Sequence, residues 1–182
     1  MDKEKLFKKL FQKTGQTIYN HHLINAEDKI LIGVSGGKDS LLLLELLGKR
    51  KQHLPFKIEL SAAHIIIKQI EFGVSIDFIQ SICKEYDINF YIEEREINSE
   101  KMEKKSPCFA CSWERRKSLF QMAEKLGYNK VALGHHKDDA IHTLFLNMIY
   151  HGSISSLPYI LKMFDGKIFL IRPLLDLEEK II

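Results

Sequence analysis

The sequence predicts an α/β protein, a wrapped parallel sheet of about five strands with helices on both faces, and three observations lead there. Short runs rich in β-branched residues alternate along the chain with longer segments of helical period. The first such run, Ile30-Leu-Ile-Gly-Val34, passes directly into Ser35-Gly-Gly-Lys-Asp-Ser40 and then into leucines, the order of strand, tight loop and helix. The bulk numbers agree: 45% apolar and 28% charged residues in 182 suit one soluble globular domain with a sizeable core.

Taken in order, 3–20 is predicted as an amphipathic helix, with Leu6, Phe7, Leu10, Phe11, Thr14 and Ile18 on one face and lysines opposite. Strand one spans 28–34, and the leucine-rich helix 39–50 lies buried behind its loop. Strand two is read within 56–67, ending near Ala63-His64, and helix 73–86 turns Ile76, Phe78, Ile79 and Ile82 inward. Strand three is 89–94, and the polar, lysine-rich stretch 95–106 reads as a mobile connection. After Pro107 a helix repeats Trp113, Arg116, Leu119, Phe120, Ala123 and Leu126, with Gly127 as its C-cap. Strand four is 130–134, and helix 139–150 buries Ile141, Leu144, Phe145 and Met148. A turn at Asp165-Gly166 leads into the last strand, 167–171, closed by Pro173. Residues 177–182 look like the opening turns of another helix, so a C-terminally truncated single domain, 28–182, preceded by a helical segment, 1–27, is expected.

Composition also limits function. No apolar stretch reaches the roughly 18 residues of a membrane helix, and the charged start is no signal peptide. Three cysteines, two in a C-x-x-C, suit a reducing compartment, the cytoplasm by default. Net charge is only +3, but residues 1–22 carry a local +3 and residues 101–117 a local +4. Basic segments beside a site suit a polyanion such as RNA; solvated helix faces are the other reading.

The chemistry concentrates in three places. In Ser35–Ser40, Gly36 and Gly37 let the backbone approach a ligand, and the amides that follow open a helix, where an anion is favoured. Lys38 adds a mobile cation, and Ser35 and Ser40 add hydroxyls. The string is neither a Walker A loop nor a dinucleotide fingerprint, so it reads as a phosphate loop of another kind. In Gly134-His135-His136-Lys137-Asp138-Asp139, carboxylates at a helix start can hold Mg²⁺ between phosphate oxygens or act as caps. Asp139 with Asp39 is the stronger pair and Asp138 the weaker; His135 contacts phosphate or packs. Cys108-Phe-Ala-Cys111 can chelate a metal or cluster or form a redox pair. Arg115 lies one turn beyond Cys111, within reach of that sulfur site or a phosphate, or simply on the surface. Cys83 is read as a packed small hydrophobe, and His21, His22 and His151 as structural.

The string SGGKDS resembles the pyrophosphate loop of the PP-loop ATPases. With Pro107-Cys-Phe-Ala-Cys-Ser112, Arg115-Arg116, Ala132-Leu-Gly-His-His-Lys-Asp-Asp139, Thr143-Leu-Phe-Leu-Asn147 and Arg172-Pro-Leu174 in this order, the chain is similar to the tRNA 2-thiocytidine synthetases of that family. Lysidine synthetases share the loop and the Gly-His-His segment but lack this C-x-x-C. The resemblance implies that ATP and Mg²⁺ adenylate the C2 oxygen of an anticodon-loop cytidine in tRNA, and that sulfur then displaces AMP through a [4Fe-4S] cluster. It implies Ser35–Ser40 for pyrophosphate, Ala63 and His64 beside adenine, and Gly134 and His135 on the nucleotide. It further implies Asp39, Asp139 and Arg115 in catalysis, with Asp39 and Asp139 on Mg²⁺, and Cys108 and Cys111 on the cluster. A sulfur donor such as a cysteine desulfurase system follows from it, and a homodimer is left open. The chain stops before the family's third cluster cysteine, and Cys83 does not match that position. The other readings are a 2-thiouridine-type tRNA thiolase and an incomplete nucleotide-binding module that works with a partner.

Overall fold

A computed structural model describes residues 2–70, 73–97 and 107–182, the side chains of Pro107 and Cys108 excepted. The chain runs α1 (Lys3–Asn20), β1 (Lys29–Gly33), α2 (Lys38–Lys51), β2 (Glu59–Ile67), α3 (Ile76–Glu85) and β3 (Asn89–Arg95). It continues with α4 (Pro107–Leu126), β4 (Lys130–Ala132), α5 (Lys137–His151), β5 (Ile160–Met163) and β6 (Ile168–Ile171). Most of the expected mobile connection, 98–106, lies outside the described residues.

The sheet has six strands in the order β3-β2-β1-β4-β6-β5, one more than expected. β1 is parallel to β2 and β4, and β4 to β6, whereas β5 is antiparallel to β6 at the edge. The extra strand pairs across Phe164–Gly166, where three successive positive φ angles reverse the chain. Apolar runs on both sides of Asp165-Gly166 are the sequence signal of that hairpin.

Period-two alternation divides the core. Ile30 and Ile32 of β1 pack with Leu60 and Ala62 against Leu10 and Ile18 of α1, Leu43 and Leu47 of α2, and Ile79 and Ile82 of α3. Leu31 points the other way, with Ala63, Val131, Ile168 and Leu170, against Leu119, Phe120 and Ala123 of α4. The sheet is thus wrapped on both faces, as its apolar central strands require. At its amino edge Lys130 is buried on Asp28 at 2.6 Å and on the Leu23 carbonyl at 2.8 Å, so that charge is satisfied away from the site.

Four expectations need correction. β2 runs from Glu59 to Ile67, rather than from 56 to near Ala63-His64. Trp113, Leu126 and Phe78 are 51, 40 and 50% exposed; Trp113 lies under the Lys117 ammonium instead of in the core. Residues 179–181 form a single 3₁₀ turn rather than an α-helical start. Most importantly, α5 buries none of its residues, and Ile141, Phe145 and Met148 are 41, 55 and 45% exposed. Its inner side faces a cleft of about 460 Å³, shared with Lys13 and Thr17 of α1, in place of the sheet.

Candidate nucleotide site

The sheet order fixes where a ligand belongs. From β1 the chain goes to β2 and β3 on one side and later to β4 and β6 on the other, so the loops after β1 and β4 part at the carboxyl edge. That divergence is where doubly wound sheets open a crevice.

The loop after β1 is knotted by its own hydroxyls. Ser40 Oγ donates to the Gly37 carbonyl at 2.8 Å and accepts from the Ser35 amide at 3.2 Å and the Ser35 hydroxyl at 3.1 Å. Gly36 has φ +89°, and a Cβ there would lie 2.5 Å from Val74, so only glycine fits. Gly37 is the N-cap of α2 and no side chain caps that helix, whereas Asp2 and Ser75 cap α1 and α3. The first amides of α2 are therefore left for an anion.

The loop after β4 rests directly on this one. A Cβ on Gly134 would lie 3.0 Å from the carbonyl carbon and oxygen of Asp39 and 3.1 Å from the Ser40 nitrogen. Gly134 thus joins two segments that are 95 residues apart in the sequence, taking 39 from 134. Beyond it, Asp139 Oδ2 accepts from the His136 amide at 2.8 Å, as the third helical residue of a capping box on α5. Asp138 Oδ2 instead accepts from the Glu179 amide at 2.7 Å.

Lys38 ties the loop to the C-terminal turn, 3.3 Å from Asp39 Oδ1 and 3.4 Å from Glu179 Oε1. Desolvation pulls its pKa down, but the two carboxylates outweigh that and hold the ammonium above its ordinary value. Asp39 Oδ1 is buried, with the Lys38 ammonium 3.3 Å away as its ion-pair partner. A carboxylate oxygen so placed beside a phosphate loop suits Mg²⁺.

Beside the loop, Gly33, Val34, Ser35, Ala63, Ile65, Leu119 and Leu133 line a mostly apolar cavity of about 160 Å³, with Ser112, Arg115 and Arg116 at its rim. His64 lines a neighbouring cavity of about 380 Å³, together with Val74 and Arg115. It is buried, and its Nδ1 lies 2.7 Å from the Val34 carbonyl, to which it donates. Burial lowers its pKa, the Val34 bond opposes this, and Arg115 adds to the lowering. His135 Nδ1 accepts from Arg172 Nε at 3.3 Å. Burial, then Arg172, push the His135 pKa down to about 4, so the ring is neutral. Burial, then Arg116, lower Arg172 to about 10.

The structure therefore brings Ser35–Ser40, Ala63, Gly134, Arg115 and the start of α5 to one edge, with His64 in the adjoining cavity beside Val74 and Arg115. The cysteine pair stands differently. Cys111 is 4% exposed, among Ile65, Ile67, Ile97 and Ala110, and the side chain of Cys108 lies outside the described residues. No group of three Cys, His, Asp or Glu side chains able to hold a metal exists among the described residues. They do not make up a cluster site. Cys83 is buried as expected, and burial pushes its thiol up to about 11. Sequence reasoning gave no role to Arg172; its signal was an arginine directly after the last parallel strand, on the ligand-binding edge.

No helix among the described residues is long and apolar enough to cross a membrane. The tRNA-cytidine(32) 2-sulfurtransferase of Polynucleobacter necessarius is 39% identical over all of this chain and 61% of its own length. That of Marinobacter nauticus is 40% identical over 99% of this chain and 60% of its own length. This chain thus spans about 60% of the length of the curated relatives it matches. Among solved structures, the U34-tRNA thiolase NcsA from Methanococcus maripaludis with its [4Fe-4S] cluster superposes with a TM-score of 0.78 at 26% identity, covering 98% of this chain and 62% of that one. A family model described as the PP-loop domain matches residues 4–182. With that match running through both loops and the sheet that carries them, the chain belongs to the PP-loop family.

Proposed function

We propose that this chain carries out the ATP-dependent chemistry of tRNA 2-thiolation, activating a cytidine of the anticodon loop so that sulfur replaces its C2 oxygen. The observation that carries the reading is the seating of Gly134 on Asp39 and Ser40, which joins an uncapped phosphate loop to the segment whose Leu133 lines the apolar cavity beside Ser35. The similarity to tRNA-cytidine(32) 2-sulfurtransferases supports the choice of substrate.

In this reading adenine enters the apolar cavity against Ala63, and the β- and γ-phosphates meet Ser35–Ser40 and the free amides of α2. Asp39 and Asp139 would hold Mg²⁺, which would supply neutralisation of phosphate and leaving-group charge. The C2 oxygen of the base attacks the α-phosphorus, the α–β bond breaks, and pyrophosphate leaves. Arg115 faces the developing negative charge. The outer sulfur of a persulfide, supplied by a donor such as a cysteine desulfurase system, then attacks C2, and AMP leaves with the original oxygen. A thiol reductant supplies the two electrons that cleave the S–S bond, leaving the thiocarbonyl on the base and a disulfide on the reductant side. Cys108 and Cys111 stand as cluster thiolates in this reading, and adenylation uses neither. Residues 28–182 form the catalytic body with 1–27 as its N-terminal helical segment, and the cytoplasm is the compartment.

The similarity to a U34-tRNA thiolase supports a second reading, thiolation of a uridine. Nucleoside analysis of tRNA from a strain lacking the gene separates the two. Loss of 2-thiocytidine, restored by the wild-type gene and not by Asp39→Ala, is the expected result. Intact 2-thiocytidine with loss of a 2-thiouridine would move the assignment to the second reading. No change in either nucleoside would leave a nucleotide-binding module that acts with a partner.

A further inference from the structure

Arg172 is a buried charge without a counter-charge. Its residue is 4% exposed, and its guanidinium meets only neutral acceptors, the Pro158 carbonyl at 2.6 Å and His135 Nδ1 at 3.3 Å. No ion pair includes it among the described residues. Buried ions are ordinarily paired, because desolvation is otherwise uncompensated. The buried Lys130, on Asp28, follows that rule within the same fold. Arg172 breaks it at the ligand-binding edge.

Arg116 enlarges the positive excess. It lines the same cavity as Gly33, Val34 and Ser35, and lies near enough to Arg172 and His135 to oppose positive charge on both. Among the described residues it too has no ion pair. His135, accepting from Arg172 at Nδ1, keeps its proton on Nε2 and remains a neutral donor. Two guanidinium groups and an imidazole N–H, with no carboxylate paired to either arginine, form the donor half of an anion site. Arg116, which is exposed, lines the same apolar cavity as Ser35 of the phosphate loop. The α-phosphoryl group is the part of ATP that lies between adenosine and the leaving pyrophosphate.

We propose that Arg116 binds the α-phosphoryl group of the nucleotide, with Arg172 as the positioning residue that holds His135 beside it. The assignment rests on the ATP reading above. A guanidinium there meets the charge that grows on the α-phosphorus oxygens during attack, and it stays with AMP after pyrophosphate leaves.

Comparing AMP with adenosine isolates this contact, since the two differ only in that group. Calorimetry on the full chain is expected to give AMP about tenfold tighter binding than adenosine. Arg116→Met should bring that ratio close to one, with a circular dichroism spectrum matching wild type. Arg172→Lys keeps a cation but loses the Nε bond to His135, and should lower the ratio about threefold. Weaker binding of both ligands by one common factor in that variant would overturn the positioning role. An unchanged ratio in Arg116→Met overturns the proposal, and so does an unchanged ratio joined to weaker tRNA binding, which gives Arg116 to an RNA phosphate. Wild-type chain that binds neither AMP nor adenosine overturns the ATP reading itself.

Discussion

The two helices that leave the site, α2 and α5, both start behind a ligand loop and both are rich in large apolar residues, yet one is core and the other is surface. Leu43, Leu44, Leu46 and Leu47 of α2 are at most 1% exposed, whereas Phe145, Leu146 and Ile149 of α5 are 55, 54 and 72% exposed. α2 lies over β1 and β2 and between α1 and α3, so its leucines meet apolar neighbours on several sides. α5 stands across a cleft from α1. The contrast shows two ways to hold a ligand loop in place. The phosphate loop is anchored by the burial of the helix behind it. The Gly134 loop is anchored at its own backbone, by contact with Asp39, by the His136–Asp139 capping box and by Arg172 on His135.

The largest expected effect tests the α2 side at its ligand end. Asp39→Ala should lower pyrophosphate release by about 10³-fold, since on the proposed reading it removes a carboxylate that would hold Mg²⁺ on the phosphates. Its thermal midpoint should move little, because the Asp39 side chain is 30% exposed and carries only a surface ion pair with Lys38. Release within tenfold of wild type, measured with ATP and tRNA, would remove Asp39 from the reaction.

Next comes the anchoring helix itself. Leu44→Ala should cost about 3 kcal/mol in denaturant unfolding, the usual size for a fully buried leucine that leaves a cavity. A cost below about 1 kcal/mol would mean that α2 does not anchor the loop by burial.

The Gly134 side should respond to pH instead. The His135 pKa is about 4 in the fold, against 6.5 for the ordinary imidazole. As pH falls below about 6.5, the unfolded chain takes up a proton that the folded chain refuses until about 4. Stability therefore falls as pH drops through that window, by an amount on the order of 2–3 kcal/mol. His64, also lowered by burial, adds in the same direction. Unfolding at pH 7 and near pH 4.5 should show a larger drop in wild type than in His135→Gln. Equal drops would mean that His135 is solvated.

The smallest effect is the counterpart of Leu44. Phe145→Ala on α5 should cost less than about 0.5 kcal/mol. A cost equal to that of Leu44→Ala would erase the distinction between the two helices.

How much of this was legible in the sequence depended on how local the signal was. Ser35–Ser40 was readable because strand, glycine turn and helix are contiguous, and their order alone dictates an anion-binding loop. The leucines of α2 and the isoleucines of β1 were likewise readable as core. α5 misled because it is apolar around most of its circumference, so its periodicity selects no face and only its neighbours decide burial. β5 was missed because an edge strand with exposed side chains lacks the buried pattern of the central strands. The Arg172–His135 bond and the seating of Gly134 join residues 37 or more apart, and no spacing rule reaches that far. The spacing of Cys108-Phe-Ala-Cys111 allows a metal or cluster site or a redox pair, and among the described residues no group of three ligands completes a metal site.

The central claim is cleavage of ATP between the α- and β-phosphates at the Ser35–Ser40 loop, and product analysis tests it most directly. The full chain incubated with ATP, Mg²⁺ and tRNA should release pyrophosphate and leave AMP, first on the RNA and then free. ADP and orthophosphate as the products would contradict it.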